Sequence, residues 1–305
     1  PPVPRGHRGS PRVTPLPSRE AAMRTVALPR SPRLVLPPLA AAALLLAAGC
    51  APAEPEWGRV FDGSAGRWVD LSHAFGPSTI YWPTDTLGFQ LEELAWGRTE
   101  EGWFYAAYAF AGAEHGGTHL DAPIHFAEGR RTADEIPLSD LMGPAVVVDV
   151  TARAHADYRV SVADLEAWES AHGRIPDGAI LLLRTGWGAR WGDRAAYLGT
   201  DAVGPEAVAD LHFPGLDPEA AAWLVANRAV VAVGIDTPSI DYGQSADFRA
   251  HAALYEANIA GFENVARLEA LPEEGAHVVA LPMKIEGGSG GPLRIAAFVP
   301  GGAGQ

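Results

Sequence analysis

Five short apolar runs set the terms for any fold this chain can adopt. Val146–Val150, Ile180–Arg184, Val230–Ile235, Val278–Ile285 and Leu293–Val299 are rich in Val, Ile and Leu and bounded by Gly, Pro or Asp. They read as strands, several of them buried on both faces. Helical patterns separate them. Ser161–Ala171 opens on a residue suited to N-capping and continues Asp164-Leu-Glu-Ala-Trp-Glu. A second helix starts at Asp217-Pro218-Glu219, with Pro tolerated in the first turn, and runs to about Asn227. A third runs from about Ala246 through His251 to Asn258. The pattern predicts an α/β chain with a mixed rather than purely parallel sheet.

The first fifty residues differ from the rest. Residues 1–49 hold seven Arg, one Glu and ten of the 26 prolines. From Met23 onward, Arg24, Arg30 and Arg33 precede an apolar run, Leu34–Leu46, that ends in Leu-Ala-Ala-Gly-Cys50. A basic region, a short apolar region and small residues describe a secretory signal peptide over 23–49. The run falls short of the ~20 residues a membrane span needs. Gly49-Cys50 resembles a bacterial lipobox, although Ala47 stands where that pattern prefers Leu. The expectation is a cell-envelope protein, lipid-anchored at Cys50 in the periplasm or secreted. Residues 50–68 would form anchor and tether, and 1–22 upstream translation before a start at Met23.

Cys50 is the only cysteine, so no disulfide forms within the chain and no thiolate is available in the folded body. Any metal there must be held by nitrogen and oxygen. Beyond residue 49 stand 16 basic against 36 acidic side chains, a formal charge of −20. Such a surface repels phosphate backbones and argues against nucleic-acid binding.

The chemistry concentrates in His115-Gly-Gly-Thr-His119-Leu-Asp121-Ala-Pro-Ile-His125-Phe126, which holds three of the ten histidines. Gly116-Gly117 and Pro123 argue against a helix. In extended chain, His119 and Asp121 point the same way. His115 would then stand roughly 13 Å from His119 at ~3.3 Å per residue, too far to share a metal. The Gly-Gly pair can turn the chain and fold His115 back. His115, His119 and Asp121 then form a three-ligand site, with His125 a candidate acid/base beside it. His251 and Glu263 are a second group. On one continuous helix they would lie roughly 18 Å apart, so a shared site needs a reversal near Asn258–Gly261. The residues alone leave this pair open between metal ligands and an ion-paired surface helix. The Gly-rich stretch Pro282–Arg294 lacks the spacing of a phosphate loop and reads as a tight turn approaching the site or a neighbouring subunit.

HGGTHLDAPIHF resembles the HxGTHxDxPxHF signature of the metal-dependent cyclase family, which includes bacterial kynurenine formamidases and isatin hydrolases. Weaker similarities follow in the family's order. They are Val69–His73, Ile80–Pro83, Leu182–Trp187, Gly234–Tyr242, His251, Glu263-Asn264 and Lys284–Arg294. The resemblance implies a single compact swivelling β/β/α domain over 69–300, assembled as homodimers or homotetramers. It implies His115, His119, Asp121, His251 and Glu263 as ligands of Zn2+ (one or two ions) or Mn2+, and His125 as proton shuttle. The expected reaction is cleavage of the C–N amide bond of an aryl formamide or cyclic amide, like N-formylkynurenine or isatin, by metal-activated water. Trp82 and Phe126 are candidates for the wall holding the aromatic substrate, with core packing the alternative for each. Rival readings are a same-family hydrolase of another cyclic amide, lactone or ester, and a non-catalytic metal- or solute-binding lipoprotein.

Overall fold

The structure, a computed structural model, describes residues 57–302; the expected leader and the expected anchor at Cys50 lie outside the described residues. The apolar runs become strands packed side by side. β5 (Met142–Asp149), β7 (Ile180–Arg184), β9 (Ala232–Ile235) and β10 (Ala260–Glu263) are parallel neighbours, in a register that aligns Val147, Leu182, Gly234 and Phe262 across the sheet. β11 (His277–Pro282) joins β5 antiparallel, β12 (Gly290–Pro300) joins β11, and β1 (Gly66–Asp70) joins β12. The short β4 (His119–Asp121) pairs antiparallel with β10 on one side and with the start of β12 on the other. That double pairing closes the mixed sheet into a barrel-like ring, with β1 as an added outer strand, while the short β6 (Arg159–Val160) and β8 (Gly215–Leu216) form a separate parallel pair.

Closure explains why the runs show no polar alternation. Val147, Leu182, Phe262, Leu120, Val278 and Ile295 fill the inside. Val146, Val148, Leu181, Leu183, Val233 and Ile235 pack outward against the helices. Those helices are α2 (Val162–His172), α4 (Pro218–Asn227) and α5 (Arg249–Glu256); the short α1 (Trp57–Phe61) and α3 (Arg194–Leu198) lie elsewhere in the chain. Both sides of the parallel strands β7, β9 and β10 and of most of β5 are therefore dry, as parallel strands under helices require.

The helix starts follow their caps. Ser161 and Asp164 form a reciprocal capping box at α2, and Asp217 accepts the backbone N–H of Glu219 at α4. α5 is shorter than its sequence pattern. Its start is set by a remote group, since Asp241 accepts the N–H of Ala250 (3.2 Å) and of His251 (3.0 Å). After it, Asn258 takes a left-handed φ of 58° and turns the chain back into β10. This is the reversal the His251–Glu263 pair required.

An antiparallel hairpin, β2 (Gln90–Arg98) with β3 (Phe104–Ala111), pairs only with itself among the described residues. Its sequence drew no strand expectation, and Leu91, Leu94, Trp96, Phe104 and Phe110 are more than half exposed on it.

One buried carboxylate fastens the loop after β7 to the end of β9. Asp236 accepts the N–H of Thr185 (2.9 Å) and of Gly186 (2.8 Å), and the Thr185 hydroxyl (2.6 Å). Burial pushes its pKa up despite these bonds. Asp236→Ala strands these donors and the more distant Gly188 N–H, and is expected to lower the unfolding free energy by about 2–4 kcal/mol. Urea denaturation measures this, and a midpoint shift worth under 1 kcal/mol would show the loop is held elsewhere.

Candidate metal centre

The site begins with a turn. Gly117 adopts a φ of 60°, and Gly116 bridges to Tyr81 in antiparallel fashion. The chain doubles back, and the His115 and His119 rings sit 5.4 Å apart, centroid to centroid. From β4, Leu120 enters the barrel core while His119 and Asp121 leave from the outer face. The register sets Glu263 of β10 directly across from His119. Asp121 is flanked by two glycines, Gly261 on β10 and Gly290 on β12. A Cβ at Gly261 would stand 2.3 Å from the Tyr255 hydroxyl, and one at Gly290 would stand 2.6 Å from the His115 ring. The missing side chains let both groups reach the carboxylate. α5 delivers His251 and Tyr255 from above, one helical turn apart.

Proton bookkeeping then fixes the tautomers. The Ser289 hydroxyl has one proton and gives it to Glu114 (2.6 Å), so it receives the Nε2–H of His115 (2.9 Å). His115 Nδ1, left as a lone pair, faces Asp121 Oδ1 at 2.7 Å. His119 gives its Nδ1–H to the Gly117 carbonyl (2.9 Å). Its Nε2 lies 3.0 Å from Asp121 and 3.3 Å from Glu263, and is buried with a hydrogen bond to neither. His251 gives its Nδ1–H to Asp241 (2.6 Å) and turns Nε2 to Glu263 Oε1 at 3.0 Å. Asp121 Oδ2 accepts the Tyr255 hydroxyl (2.9 Å). Three imidazole lone pairs thus confront two carboxylates, acceptor against acceptor, in a buried cluster. Such an arrangement requires positive charge in the middle, from protons on the rings or from a cation. Burial alone would lower the pKa of His119 and His251, yet Asp121 and Glu263 hold His119 up at about 10 and His251 well above its usual range. Burial would likewise raise Asp121, but the imidazoles hold it well below the carboxylate range.

The donors fit a metal ion. They are nitrogen and oxygen only, and the outer partners Ser289, the Gly117 carbonyl and Asp241 orient the rings as outer partners of metal-bound histidines do. Two triads have ligand atoms within 4.8 Å of one another, His119/Asp121/Glu263 and His115/Asp121/His125, and they share Asp121. His125 lies on a one-turn helix, Pro123–His125, stacked on His115 with ring centroids 3.8 Å apart. Burial lowers its pKa to about 4, which leaves the ring neutral near pH 7.

Above the cluster opens a cavity of about 230 Å³. Trp82 and Phe126 both line it, along with Ile80, Tyr81 and Phe248. Phe126 also packs on His251, with ring centroids 4.7 Å apart, and Trp82 on Phe213 at 6.3 Å, so each serves wall and packing together. The structure brings all five expected ligands and His125 around one point. Sequence reasoning missed Ser289, Asp241, Tyr255 and the cavity-lining Asp85. Tyr255 had a signal, four residues after His251 on the same helix face. The Gly-rich turn does approach the site, through Ser289.

The profile of the Cyclase family matches residues 69–242. An isatin hydrolase from Roseibium aggregatum is 35% identical over 76% of this chain and 91% of its own length. A kynurenine formamidase from Salinibacter ruber is 30% identical over 74% of this chain and 94% of its own. Among solved structures, an isatin hydrolase bound to the product analogue thioisatinate superposes with a TM-score of 0.70 at 29% identity, covering 87% of this chain and all of that one. Isatin hydrolase A from Labrenzia aggregata, bound to benzyl benzoate, gives 0.69 at 34% identity over 80% of this chain and 99% of that one.

Asp241→Asn keeps the shape of the His251 partner and removes its charge. Metal affinity is expected to fall roughly 10- to 100-fold, as when outer partners of metal-bound histidines are changed. Competition with a chelating dye reads this, and an unaltered affinity would mean that Asp241 serves α5 alone.

Proposed function

The chain belongs to the Cyclase family and is a metal-dependent amide hydrolase, and we propose that its substrate is a small aromatic amide, either an aryl formamide or a cyclic amide of the isatin kind. The observation that carries this reading is the ring of three imidazole lone pairs turned onto Asp121 and Glu263 at the floor of an aromatic-walled cavity. Zinc, as one or two ions, or manganese would be held by His115, His119, Asp121, His251 and Glu263. Such an ion would supply Lewis acidity for the amide carbonyl and would lower the pKa of water towards ~7.

The remaining work falls to the chain. Trp82, Phe126 and Phe248 clamp the aryl ring and exclude water from its faces. The His125 ring, neutral and stacked against His115, makes no hydrogen bond within the described residues and has a free nitrogen to act as base. It accepts a proton from the attacking water and passes it to the leaving nitrogen as the C–N bond breaks. The water oxygen ends on the carbonyl carbon, giving a carboxylic acid and an amine. The leader reading adds a location: the mature chain is held at the cell envelope by lipid on Cys50.

We assign the hairpin to self-association as a homodimer or homotetramer. Two-stranded ribbons are marginal in water, and this one exposes aromatic and aliphatic side chains on both faces. Trp96→Glu with Phe110→Glu is expected to give monomers in sedimentation velocity; an unchanged sedimentation coefficient would move the contact elsewhere.

The functional test uses the mature chain, stripped of metal and reloaded separately with zinc and manganese. Turnover of N-formylkynurenine or isatin is expected only after reloading. His125→Ala is expected to keep its metal while kcat drops about 10²–10⁴-fold. Tight metal binding with no turnover of either substrate would favour a non-catalytic binder. An unchanged rate in His125→Ala would remove that ring from the reaction.

A further inference from the structure

One carboxylate lining the cavity stands outside the cation-binding cluster. Asp85 follows the Trp82-Pro83 turn, where its backbone N–H bonds the Trp82 carbonyl at 3.0 Å. Its carboxylate is part-buried, and burial raises its pKa against the opposing pull of His115 and His119. No hydrogen bond or ion pair engages that carboxylate among the described residues. The cavity's other two carboxylates and its one side-chain amide are already committed. Asn264 spends its amide on the Gly117 carbonyl (2.7 Å) and accepts the Tyr197 hydroxyl (2.8 Å). Asp121 and Glu263 face the imidazoles.

A secondary amide brings two polar groups into such a cavity, a carbonyl oxygen that accepts and an N–H that only donates. In the amide-hydrolase reading the carbonyl would be turned towards the cation-binding cluster. The N–H then needs an acceptor inside an aromatic-walled pocket, because a buried donor without a partner is costly. Ionised Asp85 accepts only, and its oxygens are uncommitted. We propose that Asp85 is a specificity-determining residue whose carboxylate receives the N–H of the scissile amide, selecting secondary amides over esters, lactones and N-alkylated amides. The inference rests on the amide-hydrolase reading and narrows its substrate class. It also gives the leaving nitrogen a continuous partner, since the amine produced still has a hydrogen to donate to Asp85 after His125 has protonated it.

The test crosses two substrates with three proteins. Formanilide and phenyl formate differ only in N–H against O at the atom Asp85 would contact, so steric and loop effects of a substitution act alike on both. In the metal-loaded enzyme, Asp85→Ala is expected to lower kcat/KM for formanilide by roughly ten-fold or more. For phenyl formate it should stay level or rise, because an ester oxygen and a carboxylate repel each other. Asp85→Asn, matched in shape and retaining one acceptor oxygen, should fall between, and it carries the test if the alanine variant misfolds. An equal drop for both substrates would overturn the proposal and reduce Asp85 to a shaper of its loop. Failure of the metal-loaded wild type on both substrates would instead refute the hydrolase reading, and this inference with it.

Discussion

Everything in this structure hangs on a strand of three residues. β4 pairs with β10 and with β12, and without it the sheet would be an open curl with two unpaired edges. The same three residues carry two metal-ligand candidates on one side and a core leucine on the other. Strand periodicity alone divides those duties: Leu120 enters the barrel, while His119 and Asp121 face the helices. Barrel closure and site assembly are therefore one event, and any slip of register would send His119 inward and Leu120 out.

The cluster that results is electrostatically incomplete by itself. Five buried or part-buried ionisable groups are aimed so that acceptors meet acceptors, a geometry expensive to hold in a low-dielectric interior without a cation. The fold meets that cost through orientation. Ser289, the Gly117 carbonyl and Asp241 take up the outer protons, and Asn264 steadies the Gly117 carbonyl from behind. A bound metal then contributes stability in proportion to its affinity for the folded state alone. The glycines beside Asp121 belong to the same economy of space, since Tyr255 and His115 occupy the volume their side chains would fill.

Much of this was legible in the sequence because it is local. Val146–Val150 and Ile180–Arg184 showed themselves as two-sided strands, and Ser161 and Asp217 marked helix starts through chemistry within three residues. The Gly116-Gly117 pair announced a turn between two histidines that extended chain would separate. What escaped is long-range. Asp241 caps α5 and orients His251 from ten residues upstream in a loop, Ser289 reaches His115 across 174 positions, and Asp85 meets the site only through the turn after Trp82. None leaves a periodic trace. The β2–β3 hairpin escaped for the opposite reason. With apolar side chains on both faces it lacks the alternation that marks a half-buried strand, and no helices cover it as they cover β5 or β7.

The site also divides its labour by depth. His119, Asp121, His251 and Glu263 are all 5% exposed or less, while His115, His125 and Asp85 sit higher in the wall. The deep groups are held by backbone register and by a helix, so their spacing cannot adapt to what binds. The upper groups ride on the Gly116-Gly117 turn, a single helical turn and the loop after Trp82, all outside the barrel strands. Four of the proposed metal ligands therefore form the floor, while the proposed base His125 and the proposed specificity residue Asp85 stand in the wall above them.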